Sequence, residues 1–291
     1  MNKKILHKNT KIANSAMYYI YTHIDVNIDI NELSKTLGVS KFYMHKIFKK
    51  TFSINIYESI KSIRLQKAAS LLLTNRFSTI TEVANLCGYS SHSSFIKAFR
   101  KKFEVSPKEW RNGAYKIYSN AILEEFNIST NSSIDFSSIR ATIVNEPSMK
   151  SYYIRNKGYF LNVKETWQKL YTLILNYKIK NYKMVALLHD NPTITNLDEC
   201  QYIACIVTEE AEEALTQRLP NFNISEGVYV KFDLQGKGAD VLRFIHWVYH
   251  NWLIGSEYET TTKPSYIVYH KNNYLSEDDT FNISYYMSIK Y

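Results

Sequence analysis

Apolar positions in the first third of the chain recur at helical spacing, and the pattern is written twice. Ile30-Asn31-Glu32-Leu33 … Leu37-Gly38-Val39-Ser40 returns fifty residues later as Ile80-Thr81-Glu82-Val83 … Cys87-Gly88-Tyr89-Ser90. With one residue added, Ile47-Phe48-Lys49-Lys50-Thr51-Phe52 returns as Ala98-Phe99-Arg100-Lys101-Lys102-Phe103. Each copy predicts a capped helix, a glycine turn and a second, cationic helix. Asp29 and Thr79 stand three residues before Glu32 and Glu82, the spacing at which a cap side chain and a glutamate satisfy each other's free backbone donors. Gly38 and Gly88 fall where the first helix must reverse, a step that favours positive φ. Ser40 and Ser90 are then placed to cap the helices that follow. A single helical hairpin binds nothing in most proteins. Two in tandem, each with a cationic second helix, point to a reader of double-stranded DNA.

In the second helix of the first copy, Met44, Ile47 and Phe48 share the apolar face. That leaves Lys41, Phe42, His45, Lys46 and Lys49 facing outward as DNA-binding candidates. Phe42 is the odd member; contact with a thymine methyl would explain it, and packing on the inter-unit helix is the alternative. In the second copy Phe95 and Phe99 take the core, leaving His92, Ser93, Ile96, Lys97 and Arg100 outward. Short serines beside one lysine suit phosphate contact and shape fit better than base choice, so the first helix is expected to be the principal reader. Tyr57–Leu72, free of Gly and Pro with a stripe through Ile60, Ile63, Ala68 and Leu71 or Leu72, predicts a continuous helix between the units. Ser106-Pro107-Lys108-Glu109 combines a capping box with proline at the first helical position and opens a short closing helix.

Residues 114–137, with clustered Ser, Asn and Thr and no clear period, are expected to form a linker. From about 138 to 291 the pattern changes to short apolar runs around single helices. Runs near 139–144 and 150–155 precede a helix with Val163, Trp167, Leu170 and Ile174, and strands follow near 184–188 and 202–207. Gly227–Leu234 opens a second round, with a helix through Val241, Phe244, Val248 and Trp252 and strands at 266–269 and 283–289. The expected architecture is an all-α tandem helix-turn-helix domain (1–113), then an α+β domain of two pseudo-symmetric β-α-β-β units with a groove between the halves.

Charge follows the same division. Residues 1–113 hold 19 lysines and arginines against 7 acids, and residues 114–291 hold 17 against 20. Evenly solvated lysines would not split in this way; a polyanion partner for the first domain and a different partner for the second would produce it. No apolar run is long enough to span a bilayer, and Met1-Asn2-Lys3-Lys4 leads into no signal-peptide core, so no membrane partner is expected. The three cysteines are odd in number, and the spacing of Cys200 and Cys205 puts them on opposite faces of a strand, which argues against disulfides or a zinc site. The expectation is a cytoplasmic protein without cofactor or metal.

The Gly38 and Gly88 turns, Arg64-Leu65 … Ala68 … Leu72, and Phe103 … Val105-Ser106-Pro107 … Trp110-Arg111 resemble the DNA-binding domain of AraC/XylS-type transcription regulators over residues 10–111. The resemblance places base contacts on Phe42, His45 and Lys46 and on His92, Ser93, Ile96 and Lys97. Where relatives carry Trp and Arg in the first reading helix, this chain has Phe and Lys. The second half resembles GyrI-like effector-binding domains through Ile154-Arg155 … Gly158-Tyr159, Gln201–Val207, Gly227-Val228-Tyr229 … Gly236, Trp252-Leu253 and Pro264-Ser265-Tyr266-Ile267-Val268-Tyr269. Together they give the layout of Rob-like regulators, which implies a small hydrophobic or amphipathic effector and admits RNA polymerase as a further partner. Relatives commonly place a glutamate where Ile267 stands, so selection for cations is not implied here; Glu165 and Glu257 are the first acids to consider as substitutes. Candidate effector-binding residues are Tyr153, Tyr229, Trp247, Ile267 and Tyr269.

An enzymatic reading finds little support. His246 and His250 have metal-gripping spacing, but Trp247 stands where a zinc protease has its glutamate, and no third ligand is apparent. No phosphate-binding glycine loop or nucleophile elbow is present. The alternatives to a regulator are a ligand-sequestering or drug-binding protein and, because some GyrI-like domains hydrolyse small adducts, a hydrolase.

Overall fold

The computed structural model describes residues 3–128 and 134–290. Helix α1 (Lys3–Thr22) leads into the first unit, α2 (Ile30–Thr36) and α3 (Lys41–Phe52). The long α4 (Ile56–Thr74) connects it to the second, α5 (Ile80–Leu86) and α6 (His92–Phe103). Asp29 caps α2 by accepting from the Asn31 and Glu32 amides, and Thr79 with Glu82 closes a full capping box on α5. Ser40 caps α3. The cap of α6 is Ser91, not Ser90: the added residue of the second copy falls in this turn and moves the helix start by one. Gly38 and Gly88 take φ +66° and +74°. Gly88 also permits close approach, since a Cβ there would lie 2.2 Å from the Ile24 carbonyl oxygen and 2.6 Å from the Arg64 guanidinium.

The stripe on α4 holds as far as Ile63; beyond it Leu65, Ala68, Ala69, Leu71, Leu72 and Leu73 are all buried. That half of the helix is enclosed on more than one side. One apolar cluster runs from Leu65 through Phe95, Phe99, Phe103 and Trp110 into Trp167, Phe244 and Ile289 of the C-terminal domain. The first unit has a core of its own, built from Ile20, Leu33, Met44, Phe48 and Ile63.

The segment expected to be a linker is largely helical. After α7 (Pro107–Glu109), capped by Ser106 and Glu109, the chain makes a π-helical turn over Trp110–Ala114, with Gly113 at φ +122°, and continues as α8 (Tyr115–Glu125). The Trp110 indole donates to the Ala69 carbonyl at 3.0 Å and ties this segment to α4. Sequence periodicity missed α8 because its buried positions, Tyr115, Ser119 and Ile122, include a serine. Ser129-Thr130-Asn131-Ser132-Ser133 lie outside the described residues.

The C-terminal domain is one antiparallel sheet with helices on one face. Its elements are β1 (Ala141–Glu146), β2 (Met149–Lys157), α9 (Val163–Asn176), β3 (Lys183–Leu188), β4 (Gln201–Val207), α10 (Glu212–Arg218), β5 (Asn221–Ile224), β6 (Gly227–Lys237), α11 (Asp240–Trp247), α12 (Leu253–Gly255), β7 (Glu259–Thr260), β8 (Ser265–Lys271) and β9 (Thr280–Lys290). The order β1-β6-β9-β8-β3-β4-β2-β5 makes the two expected units, β2-α9-β3-β4 and β6-α11-β8-β9, meet where β8 pairs with β3. Each unit's preceding strand crosses to the other: β1 joins β6, and β5 joins β2. Sequence reading missed α10, β5 and β7, which are short.

The domains are also joined from α1 and from the α4–α5 turn. From α1, Tyr18 stacks on Phe222 at 4.7 Å, Asn14 accepts from Arg155 at 3.1 Å, and Tyr21 stacks on His189 at 3.9 Å. From the α4–α5 turn, Asn75 pairs with Thr260 of β7.

Candidate DNA-reading face and effector groove

On α3, Met44, Ile47 and Phe48 are buried as expected, while Lys41, Lys46 and Lys49 are exposed. Phe42 is 80% exposed, so the alternative that it packs on the inter-unit helix does not hold. His45 is half-buried with its ring 5.5 Å from that of Tyr57. Burial, with the Lys41 ammonium adding to it, draws its pKa below the ordinary imidazole value. A neutral His45 keeps one donor and one acceptor. On α6, Phe95 and Phe99 are buried, His92, Ser93, Lys97 and Arg100 are exposed, and Ile96 is half-buried. His92 lies 3.2 Å from the Thr81 hydroxyl, a contact to α5 that orients its ring.

The two units are fastened differently. In the first, Arg64 on α4 donates from Nε to Ile24 O at 3.0 Å and from Nη2 to Val26 O at 2.5 Å, holding the turn before α2. In the second, the corresponding turn is held by the C-terminal domain.

Between α11 and the helix-covered face of the sheet lies a groove of about 340 Å³, within the range usual for small-molecule sites. Ile267 and Tyr269 line it, as the resemblance implied, with Leu188, Tyr202, Leu242 and Ile245. Three expected residues are elsewhere. Tyr153 and Tyr229 are fully buried in the apolar cluster of the opposite sheet face, with Val185, Ile203 and Tyr266. Trp247 is partly buried against Phe136 and Phe244 and is absent from the lining. Nor do the substitute acids reach the groove: Glu165 is exposed beside Lys169 at 3.9 Å, and Glu257 is exposed. The charged side chains in the lining are Arg243, 2.9 Å from Asp240, and Asp279, which accepts from Asn273.

Sequence reasoning also missed Tyr202 and the third wall. Phe126 and Ile128, at the end of α8, line the groove, and Phe126 stacks on Phe160 at 5.7 Å. At the floor the Trp167 indole donates to the Tyr202 hydroxyl at 2.9 Å, and the Tyr202 and Tyr269 hydroxyls lie 3.2 Å apart. Two phenols that share one hydrogen bond keep one O–H between them. Burial pushes both phenol pKa values far up, with the neighbouring tyrosines contributing, so both remain protonated donors.

Over residues 141–290 the chain matches the GyrI-like small molecule binding domain, and over 33–113 a helix-turn-helix domain. The chain belongs to the GyrI-like family. Its helix-turn-helix part is similar to the xylose operon regulatory protein of Escherichia coli K12, 34% identical over 97 residues that make up 33% of this chain and 24% of that protein. It is similar to the Msm operon regulatory protein of Streptococcus mutans, 33% identical over 34% of this chain and 35% of that one. The chain thus spans a quarter to a third of the length of these curated relatives. Among solved structures, the C-terminal domain of AraT, a response regulator from Geobacillus stearothermophilus, is 31% identical with a TM-score of 0.33, over 35% of this chain and 84% of that one. A hydrolase from Listeria innocua is 11% identical with a TM-score of 0.40, over 52% and 92%. At such scores neither likeness bears on function.

Other expected features of the GyrI-like protein take structural places. His246 and His250 stack at 4.1 Å, and His250 meets Ser119 of α8 at 3.2 Å. Cys200 and Cys205 fall in the two opposite apolar clusters, and Cys87 lies under the second unit. Burial pushes the Cys87 thiol up to about 12 and the other two higher than their ordinary value, so none is a thiolate at neutral pH. No helix among the described residues is long and apolar enough to cross a membrane.

Proposed function

We propose that the protein is a sequence-specific DNA-binding transcription regulator whose C-terminal groove takes a neutral, largely apolar effector. The observation that carries this reading is the pair of exposed cationic helix faces, with Phe42 presented to solvent among lysines on α3. The two reading helices enter successive major grooves, about one turn (~34 Å) apart on one side of the duplex. Lys41, Phe42, His45, Lys46 and Lys49 act from α3, and His92, Ser93, Ile96, Lys97 and Arg100 from α6. A regulator of this kind works beside RNA polymerase, in the cytoplasm.

Binding of duplex DNA by the full chain, followed by fluorescence anisotropy across a salt series, tests this reading. With roughly six or more phosphate contacts the log–log slope should be about −5 or steeper. A slope near zero would overturn it.

The effector class follows from Ile267 and the phenol pair. Apolar burial at roughly 25 cal/mol per Å² would supply most of the affinity. The spare O–H of Tyr202 and Tyr269 would then favour a ligand with one hydrogen-bond acceptor at that end. Calorimetry with matched neutral and quaternary-ammonium naphthalenes should show the neutral compound binding at least as well. Ile267→Glu should shift preference toward the cation and lower the melting temperature, because a buried carboxylate loses its hydration. A strong cation preference in the unmodified protein would refute the assignment and direct attention to Asp279.

A further inference from the structure

The second reading unit depends on a residue that lies far outside it in sequence. Glu259 of β7 is 5% exposed, and both its oxygens point into the α4–α5 turn. Its Oε1 accepts from the Phe77 amide at 2.8 Å and the Ser78 amide at 3.0 Å; its Oε2 accepts from the Ser78 hydroxyl at 2.8 Å and lies 3.2 Å from Lys290 Nζ. Beside it the Asn75 side chain behaves like an added strand: its Nδ2 donates to Thr260 O and its Oδ1 accepts from Thr260 N, each at 3.0 Å. The Thr74 and Thr260 hydroxyls meet at 2.6 Å, and Arg76 donates to Ser256 O at 3.2 Å.

These contacts are not needed to start α5, whose capping box is completed internally by Thr79 and Glu82. Glu259 instead binds the two residues before the cap, and so sets where the turn sits. The equivalent turn of the first unit is held from inside the helical domain, by Arg64. A unit that needs no outside cap but receives three hydrogen bonds to its entry turn from one buried carboxylate is being placed rather than capped.

We propose that Glu259 is a positioning residue for DNA reading: through the α4–α5 turn it sets the placement of α5, and with it the α6 face, relative to α3. This rests on the assignment of α3 and α6 as readers. The expected consequence is on sequence choice. A misplaced α6 still meets phosphates somewhere along the duplex, but it no longer fits the site that α3 has selected.

The test uses the full chain and DNA selected by it from a random pool, with a scrambled duplex of equal length. Glu259→Ala should lower affinity for the selected DNA about tenfold, the loss expected for charged hydrogen bonds, and leave the scrambled duplex within about twofold. Hydroxyl-radical protection should fade over the half-site of α6 and persist over that of α3. Glu259→Gln, which keeps one acceptor oxygen, should fall between, and Ser78→Ala should show a smaller loss in the same direction, which keeps the test decisive if Glu259→Ala does not fold. An unchanged ratio of selected to scrambled affinity in a folded variant would overturn the proposal. So would an equal loss on both duplexes, the signature of a merely structural role. Failure of the unmodified protein to bind either duplex would overturn the DNA-reading assignment itself.

Discussion

The two helix-turn-helix units share a sequence pattern, yet they differ in core, anchor and contact chemistry. The first closes its own apolar core around Met44 and Phe48, and Arg64 steadies its entry turn from α4. The second shares its core with the helix-covered side of the C-terminal domain, and Glu259 steadies the matching turn from that domain. The first presents Phe42, His45 and three lysines, the second serines and one lysine ahead of Arg100. A repeat therefore fixes the shape of a unit but not its dependence on the rest of the molecule. Here the unit with the plainer reading face is the one that shares its core with the C-terminal domain, while the first unit meets that domain through side chains of α1. Under the proposed function, a ligand in the groove would act on the placement of the second unit rather than of the first.

The largest expected effect breaks this comparison at the cores. Trp110→Ala removes a fully buried indole with a hydrogen bond to Ala69 and should cost about 3–5 kcal/mol. Because its cluster spans both domains, the second unit and the sheet should lose stability together. Phe48→Ala, equally buried, should raise hydrogen exchange in α2 and α3 while sparing the sheet. Equal spread of both effects through the chain would show that the cores are one.

The next effect concerns reading. Lys46→Ala should cost about 1–3 kcal/mol on selected DNA and relax sequence choice, whereas Lys97→Ala should weaken all duplexes more evenly. Competition against scrambled DNA checks this directly. If Lys97 proves the stronger discriminator, α6 is the principal reader and the assignment is reversed.

The smallest effect is on pH. His250 faces His246, Lys116, Tyr115 and Ser119 at the seam between α8 and the π-helical turn after α11. Burial first, then His246 and Lys116, lowers its pKa to about 3. The unfolded chain takes up a proton below about pH 6.5 and the folded one does not, so stability is full above that value and falls as pH drops toward 3. About 1–2 kcal/mol should be lost between pH 7 and pH 5. His250→Asn should flatten the dependence of melting temperature on pH over this window. Glu259 acts at lower pH: burial raises its pKa, but Ser78, the two amides and Lys290 outweigh this and leave it depressed. Its contribution is present above the ordinary glutamate value and is lost as pH falls through the folded one.

The amino-acid sequence alone determined the features that are periodic or local. Both units, their glycine turns, the Thr79 and Ser106 capping boxes, the buried faces of α3 and α6, and the strand-helix-strand-strand order of the second domain were legible from spacing. Each rests on the chemistry of a few neighbouring residues. Only the tertiary structure decided which sheet face the helices cover. Alternation puts Ile267 and Tyr269 on one face of their own strand, but it cannot say that the groove lies over that face, nor that Tyr153 and Tyr229 of other strands lie on the opposite one. The same holds for α8 as a groove wall and for Glu259 on the second unit's turn. Those contacts join residues far apart in the chain, and a carboxylate that finds its partners about 180 positions away leaves no periodic mark around itself.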